Sequence, residues 1–301
     1  MDKNKTQASV LLILLALIWG SSFILIKKSL AAFTPGQVGS LRISITGLVF
    51  LPYVLTHLKR FKWNKFRFIM AFALLEIGIP PFLYAIAQTH VESGTAGILS
   101  SMEPLFTLLM GFLLFGLAFN VAKLAGVLIG LSGAVLLVFT SSNLGQGGFR
   151  LDFTNVFGLL IVLAAVMYGV GTNVLKHFLS DVSDMIIVGF SFVTLAIPAF
   201  VYLLTTNVFT IDYSVPKNLY ALLAITTLSL LGSGLAIYLF TIVTKKTSAL
   251  FASFVTYLTP FMALTWGFLD GEPLNLMQFV SMVFILGGIY IANRDRFKKT
   301  V

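Results

Sequence analysis

Ten apolar windows succeed one another along the chain, at 8–31, 38–56, 66–89, 94–116, 121–140, 155–175, 184–206, 218–243, 248–269 and 275–293. A bilayer core is about 30 Å thick and is crossed by roughly 20 apolar residues of helix. Each window is near that length, so the expected fold is an all-α integral membrane protein with ten transmembrane helices. The rest of the sequence agrees: 58% of the residues are hydrophobic and 10% charged, against about 25% charged in an average soluble domain. So few charges could not cover the outside of a soluble globule of this size. The first window, Ala8 to Ile26, comes after the polar start MDKNK. It exceeds the roughly 7–15 apolar residues of a secretory signal, and Trp19 and Lys27 stand where small cleavage-site residues would be, so an uncleaved first span is expected.

The net charge of +9 is distributed by position, not gathered on one face. With a cytoplasmic N-terminus, ten crossings place Lys3, Lys5, Lys59, Arg60, Lys62, Lys65, Arg67, Lys123, Lys176, Lys245, Lys246, Arg294, Arg296, Lys298 and Lys299 on the cytoplasmic side. Only Lys27, Lys28, Arg150 and Lys217 fall on the other side. Cytoplasmic loops carry the excess of Lys and Arg in multi-pass proteins, so both termini are expected in the cytoplasm and the protein in the cell (inner) membrane. The basic residues serve topology, and no nucleic-acid partner is expected.

The two halves of the sequence resemble each other. IWGSSFILIKKSL (Ile18 to Leu30) aligns with MYGVGTNVLKHFL (Met167 to Leu179), placing Gly20 over Gly169 and Lys27 over Lys176. SGTAGILSSMEPLFTLLMGFL (Ser93 to Leu113) aligns with ALFASFVTYLTPFMALTWGFL (Ala249 to Leu269), placing Pro104 over Pro260 and Gly111 over Gly267. Near the end of each half, Gly133 aligns with Gly288. Five spans per half is an odd number, so the second half must enter the membrane from the opposite side. Such inverted repeats are common among transporters, with the site near mid-membrane between the halves. The expected organisation is a five-helix repeat at 8–140, a second at 155–293 and a basic cytoplasmic tail at 294–301.

WGSSF in the first span, Arg42 within SLRISITGLVF, MEPLFTLLMGFLLFG in the fourth and YLTPFMALTWGFLDGEP in the ninth together resemble the drug/metabolite transporter superfamily, in the form with two EamA-type domains. The resemblance covers about 10–140 and 155–293. It implies a ten-helix bundle around a central cavity, alternating access, and commonly the export of amino acids or other small metabolites. The family's Gly-Glu pair after the fourth span is Gly116-Leu117 here and survives only as Gly271-Glu272, while Ser191 aligns with Arg42. A binding site between the halves should therefore be chemically asymmetric.

Three charged residues lie deep in the windows: Arg42, Glu76 and Glu103. A charge at mid-bilayer costs about 2.5–3.5 kcal/mol on insertion scales and turns toward a cavity or a partner. Arg42 either pairs with Glu103 or Glu76, anchors at the interface, or meets substrate. Helical spacing puts Glu76, Pro80, Tyr84 and Gln88 on one face, Ser100, Glu103 and Thr107 on another, and Ser253, Thr256 and Thr259 on a third. These stripes, with the aromatics Trp19, Tyr168, Tyr238 and Tyr257, are the candidate walls. Asn173 reads as a contact between helices. A proline inside a helix removes a hydrogen bond and bends it, so Pro80, Pro81, Pro104 and Pro260 are expected to mark bends beside the cavity.

No cysteine is present, no H-E-x-x-H occurs, and His57, His90 and His177 fall near different window ends, so neither a metal site nor catalysis is expected. No G-x-x-x-x-G-K-[ST] occurs, so no nucleotide cofactor is expected to drive the protein. The expected partners are a small-molecule substrate, the lipid bilayer and protons as a candidate coupling ion, with the chain a monomer or weak homodimer. A channel and a lipid or polyprenyl-carrier flippase are the competing functions.

Overall fold

The computed structural model describes residues 3–118, 121–139 and 156–297, all helix or connecting turn. The segment carrying Arg150 and the end of the basic tail, with Lys298 and Lys299, lie outside the described residues. The first half runs α1 (Lys3–Ser29), α2 (Pro35–His57), α3 (Phe66–Phe72), a π-helical segment (Ala73–Gly78), α4 (Pro80–Ala87), α5 (Ser93–Ser100), α6 (Glu103–Phe115) and α7 (Val121–Phe139). The second runs α8 (Gly158–Phe178), α9 (Asp184–Leu204), α10 (Pro216–Thr227), a π-helical segment (Leu228–Leu235), α11 (Ala236–Lys246), α12 (Ala249–Ser253), a 3₁₀ turn (Phe254–Tyr257), α13 (Thr259–Leu269) and α14 (Leu276–Phe297). Among the described residues eight stretches are long and apolar enough to cross a membrane, and two apolar helices, Lys123–Val138 and Leu276–Ala292, are shorter.

Local chemistry sets these boundaries. α2 starts at a capping box, in which Thr34 Oγ1 accepts the Gln37 N–H at 3.3 Å and Gln37 Oε1 accepts the Thr34 N–H at 2.9 Å. Ser248 Oγ caps α12 by accepting the Phe251 N–H at 3.1 Å. Leu48, Leu113, Leu114 and Val283 stand exposed on the outside, where lipid is the solvent, while many buried hydroxyls turn back on their own helix. Ser229 and Thr241, for example, donate to Ile225 O and Ile237 O.

The four prolines expected beside the cavity do not stand in helix interiors, unlike Pro52 in α2 and Pro198 in α9. Pro80 and Pro81 open α4 after the π segment, Pro104 opens α6 after the turn at Ser101 and Met102, and Pro260 opens α13 after the 3₁₀ turn. At a first turn the missing N–H has no intrahelical partner to lose. The chain is thus interrupted at these points, not bent around an unsatisfied carbonyl.

The halves interlock through the aligned glycines. A Cβ on Gly169 of α8 would lie 2.7 Å from Phe106 C and Thr107 N, the backbone of α6, and one on Gly20 of α1 would lie 3.1 Å from Thr259 O at the start of α13. Each half therefore lends its first helix to the broken fourth element of the other. A second close approach joins α7 to α14, where a Cβ on Gly288 would lie 2.5 Å from Gly126 O and 2.8 Å from Gly130 Cα. Backbone cannot yield as a side-chain tip can, so Gly288→Ala should cost about 1–3 kcal/mol through overpacking. Beside it Gly287 has open space at its Cβ position, and Gly287→Ala should be neutral or slightly stabilising. Thermal unfolding of both variants in detergent checks this; equal melting temperatures would refute the contact.

Candidate functional site

Between the halves lies a mostly apolar cavity lined by residues of both, with a few polar groups converging on it as small-molecule sites have. Every broken element contributes to its wall. The π segment of the first half brings Glu76, and Tyr84 comes from α4 just beyond it; the break before α6 brings Ser100 and Glu103. From the second half the π segment supplies Ser233, and the turn before α13 supplies Thr256 and Thr259. Trp19, Ser22, Phe23 and Ile26 on α1, Arg42 and Ile43 on α2, Tyr168 on α8 and Phe192 on α9 close the ring.

The acids and the base occupy different walls. Glu76 is buried and packs against α8, accepting the Thr172 Oγ1–H at 2.9 Å. Gly171 makes room for it, since a Cβ there would lie 2.7 Å from Glu76 Oε1. Glu103 is likewise buried. Arg42 reaches the other way: its Nε donates to Ser233 Oγ, and its Nη2 donates to Gly232 O at 3.4 Å. Gly232 O also accepts the Trp19 Nε1–H at 3.1 Å. Among the described residues Arg42 forms no ion pair, so the pairing with Glu103 or Glu76 expected from sequence is not made in this structure. The reason is the π segment, whose wider turn presents Gly232 O and Ser233 Oγ inward, within reach of the guanidinium.

The aromatic residues form the remaining apolar lining. Tyr84 and Tyr168 stack with centroids 6.2 Å apart, and Phe23 packs on Tyr84 at 5.7 Å. Trp19, Arg42, Glu76, Pro81, Tyr84, Ser100, Glu103, Tyr168, Thr256 and Thr259 are thus gathered at one cavity, while the other residues named with them are elsewhere. Gln88 is spent on α1, donating from Nε2 to Phe23 O at 3.0 Å. Pro80 yields its place to Pro81, because a π turn inserts an extra residue and rotates the helix beyond it, while Tyr238 packs half-buried against the apolar core that includes Ile237. Tyr257 packs against Phe254 at 5.1 Å, and Pro104 and Pro260 stay in the helix starts behind the lining. Thr107 and Ser253 are buried behind the cavity wall as well. Asn173 joins α8 to α6, donating from Nδ2 to Thr107 O at 2.9 Å. The stripes expected from sequence leave out Ser22, Ser233 and Phe192; Ser22 stands three residues after Trp19 on the same helix, and counting along that face would have found it.

Comparison with known proteins reproduces the division into halves. The EamA-like transporter family matches twice, at residues 6–139 and 157–294. A protein of Archaeoglobus fulgidus described as an uncharacterized transporter is 24% identical over 95% of this chain and 99% of its own length. The inner membrane transporter YedA of Escherichia coli K12, also described as uncharacterized, is 22% identical over 94% of this chain and 89% of its own. A chloroplastic WAT1-related protein of Arabidopsis thaliana is 25% identical over 91% of this chain and 66% of its own. One crystal structure superposes with a TM-score of 0.67 at 22% identity, covering 98% of this chain and 99% of the other, which shows a shared fold.

Proposed function

Because the chain belongs to the EamA-like transporter family, we propose that it is a secondary transporter that exports small zwitterionic metabolites, amino acids being the type, by alternating access across the inner membrane. The observation that carries this reading is the cavity itself, with Glu76 and Glu103 on one wall and Arg42 held apart from them on another. A substrate's ammonium group can face the carboxylates while its carboxylate meets the guanidinium, with Trp19, Tyr84 and Tyr168 enclosing the carbon skeleton. Such a ligand supplies the counter-charge that each of these buried groups lacks among the described residues.

In this reading the halves are inverted five-helix repeats, with α7 and α14 as the fifth and tenth crossings and both termini cytoplasmic. The ionic contacts are consistent with alternation. The ends of α1 and α13 and the start of α5 meet at Lys27, Glu272 and Ser93, whereas Lys62, Lys65 and Asp181 meet at the opposite ends of their elements. Orientation is tested with single cysteines in the cysteine-free chain. Lys217→Cys should react with an impermeant thiol reagent added outside intact cells and Lys62→Cys should not; the reverse pattern would invert the protein. Function is tested by challenging cells that express the protein with toxic amino-acid analogues and measuring efflux of the protective hits from proteoliposomes. Flux that saturates and shows counterflow supports a carrier, and flux linear in concentration would replace it with a channel.

A further inference from the structure

The two ends of the bundle are closed by unlike chemistry, although the same turn builds both. Each broken fourth element ends at a glycine in the left-handed region, Gly116 at φ +66° and Gly271 at φ +84°. The next residue then folds back: the Leu117 N–H donates to Gly111 O at 3.0 Å, and the Glu272 N–H donates to Gly267 O at 2.9 Å. Gly111 and Gly267, aligned in sequence, leave a notch for the returning side chain. In one notch lies leucine, in the other a carboxylate.

That carboxylate ties the halves together. Glu272, buried at 8% exposure, accepts from Lys27 Nζ at 2.7 Å and from the Ser93 and Gly94 N–H groups at 3.1 and 3.2 Å, all three in the first half. Asp270 extends the contact to Lys27 at 2.9 Å and to Lys28. Burial alone would push the Glu272 carboxyl up, but the Lys27 ammonium and the two amides outweigh it and hold the carboxyl below its ordinary range. At the opposite end the aligned cation, Lys176, meets no such acid among the described residues. It donates to Lys245 O and Thr247 O, both at 2.8 Å and both in its own half. The ion pairs that join the halves there, among the described residues, are those of Lys62 and Lys65 with Asp181, whose side chain is 49% exposed, and exposed pairs contribute about 0–1 kcal/mol; the other contacts across that end are apolar stacks such as Phe68 on Phe178 and Phe61 on Phe190, and a Lys65 hydrogen bond to Phe178 O.

Resting on the alternating-access reading above, we infer that Glu272 is a one-sided latch: it holds the cavity shut at the Lys27 end, and Leu117 in the mirror position leaves the Lys176 end as the end that opens at rest. On the proposed topology the sealed end faces outside. A buried acid that loses its basic and amide partners leaves them unpaired, so opening at this end is the costly half of the cycle. The cavity waits open to the cytoplasm, as an exporter loading from within would need.

The test reads accessibility and needs no knowledge of substrate. Ser22 faces the cavity and is buried, so Ser22→Cys is the reporter, labelled with an impermeant maleimide from outside in spheroplasts and from the cytoplasmic side in inverted vesicles. With Glu272 intact, outside labelling should be slow and cytoplasmic labelling fast. Glu272→Leu, which copies the other end, should speed outside labelling about tenfold or more. Leu117→Glu should slow cytoplasmic labelling by supplying Lys176 with an acid. Should Glu272→Leu fail to fold, Glu272→Gln and Lys27→Met make the same cut more gently. Labelling from both sides at rates that ignore positions 272, 27 and 117 would overturn the latch while leaving alternating access in place. Labelling from one side only in every variant would overturn both.

Discussion

Glu103→Gln should insert and fold normally yet lose substrate flux by about tenfold or more, since hydrogen bonds to charged groups contribute about 1.5–3 kcal/mol. The side chain opens α6 beside Ser100 and faces the cavity, and no ion pair reaches it among the described residues. Glutamine keeps the shape and removes the charge, so the loss reports the carboxylate and not the packing. If the acid also carries the coupling proton, wild-type flux will vary with pH and that of the variant will be flat. The measurement is flux against pH in proteoliposomes, normalised to folded protein. Unchanged flux with an unchanged profile would move the cation-accepting role to Glu76.

Arg42→Gln should abolish the preference for a substrate's free carboxylate. Wild-type protein should take a free amino acid over its methyl ester by about tenfold or more, and the variant should accept both alike. Arg42→Lys should restore little, because an ammonium cannot keep the Ser233 and Gly232 contacts while presenting a planar fork to a carboxylate. Since Arg42 is not paired with Glu103 here, the stability effects of Arg42→Gln and Glu103→Gln should add within about 0.3–0.5 kcal/mol. Strong coupling between them, or an undiminished preference for the free acid, would return Arg42 to the role of a structural ion-pair partner.

Much of this architecture is written in local properties. Apolar length announces the helices, and the recurrence of glycine, lysine and proline at aligned positions announces two halves before any packing is known. Cost per buried charge singles out Arg42, Glu76 and Glu103, and all three do face the cavity. What spacing could not supply was the phase of the helices beyond their interruptions. The face Glu76, Pro80, Tyr84, Gln88 assumes an unbroken 3.6-residue period, but the π segment at Ala73–Gly78 adds a residue, so Pro81 takes the place of Pro80, while Gln88 is drawn to Phe23 O. Nor could spacing find the partner of Arg42: Ser233 is 191 positions away, and nothing about an isolated serine between two glycines marks it as a guanidinium acceptor.

The placement of the deep charges gives synthesis an order. Arg42, Glu76 and Glu103 all belong to the half that leaves the ribosome first, whereas the groups that receive two of them, Thr172 for Glu76 and Gly232 and Ser233 for Arg42, belong to the half made last. Until α8 arrives, the nascent first half holds its carboxylates without the hydroxyl that will shelter one of them, and until the second π segment is made the guanidinium has no carbonyl to reach. The early half is therefore expected to await its own sequel, since its deep polar groups are ones that lipid accepts only at a cost. The later half, which brings no charge to that depth, supplies the acceptors and hydroxyl that the early half lacks on its own.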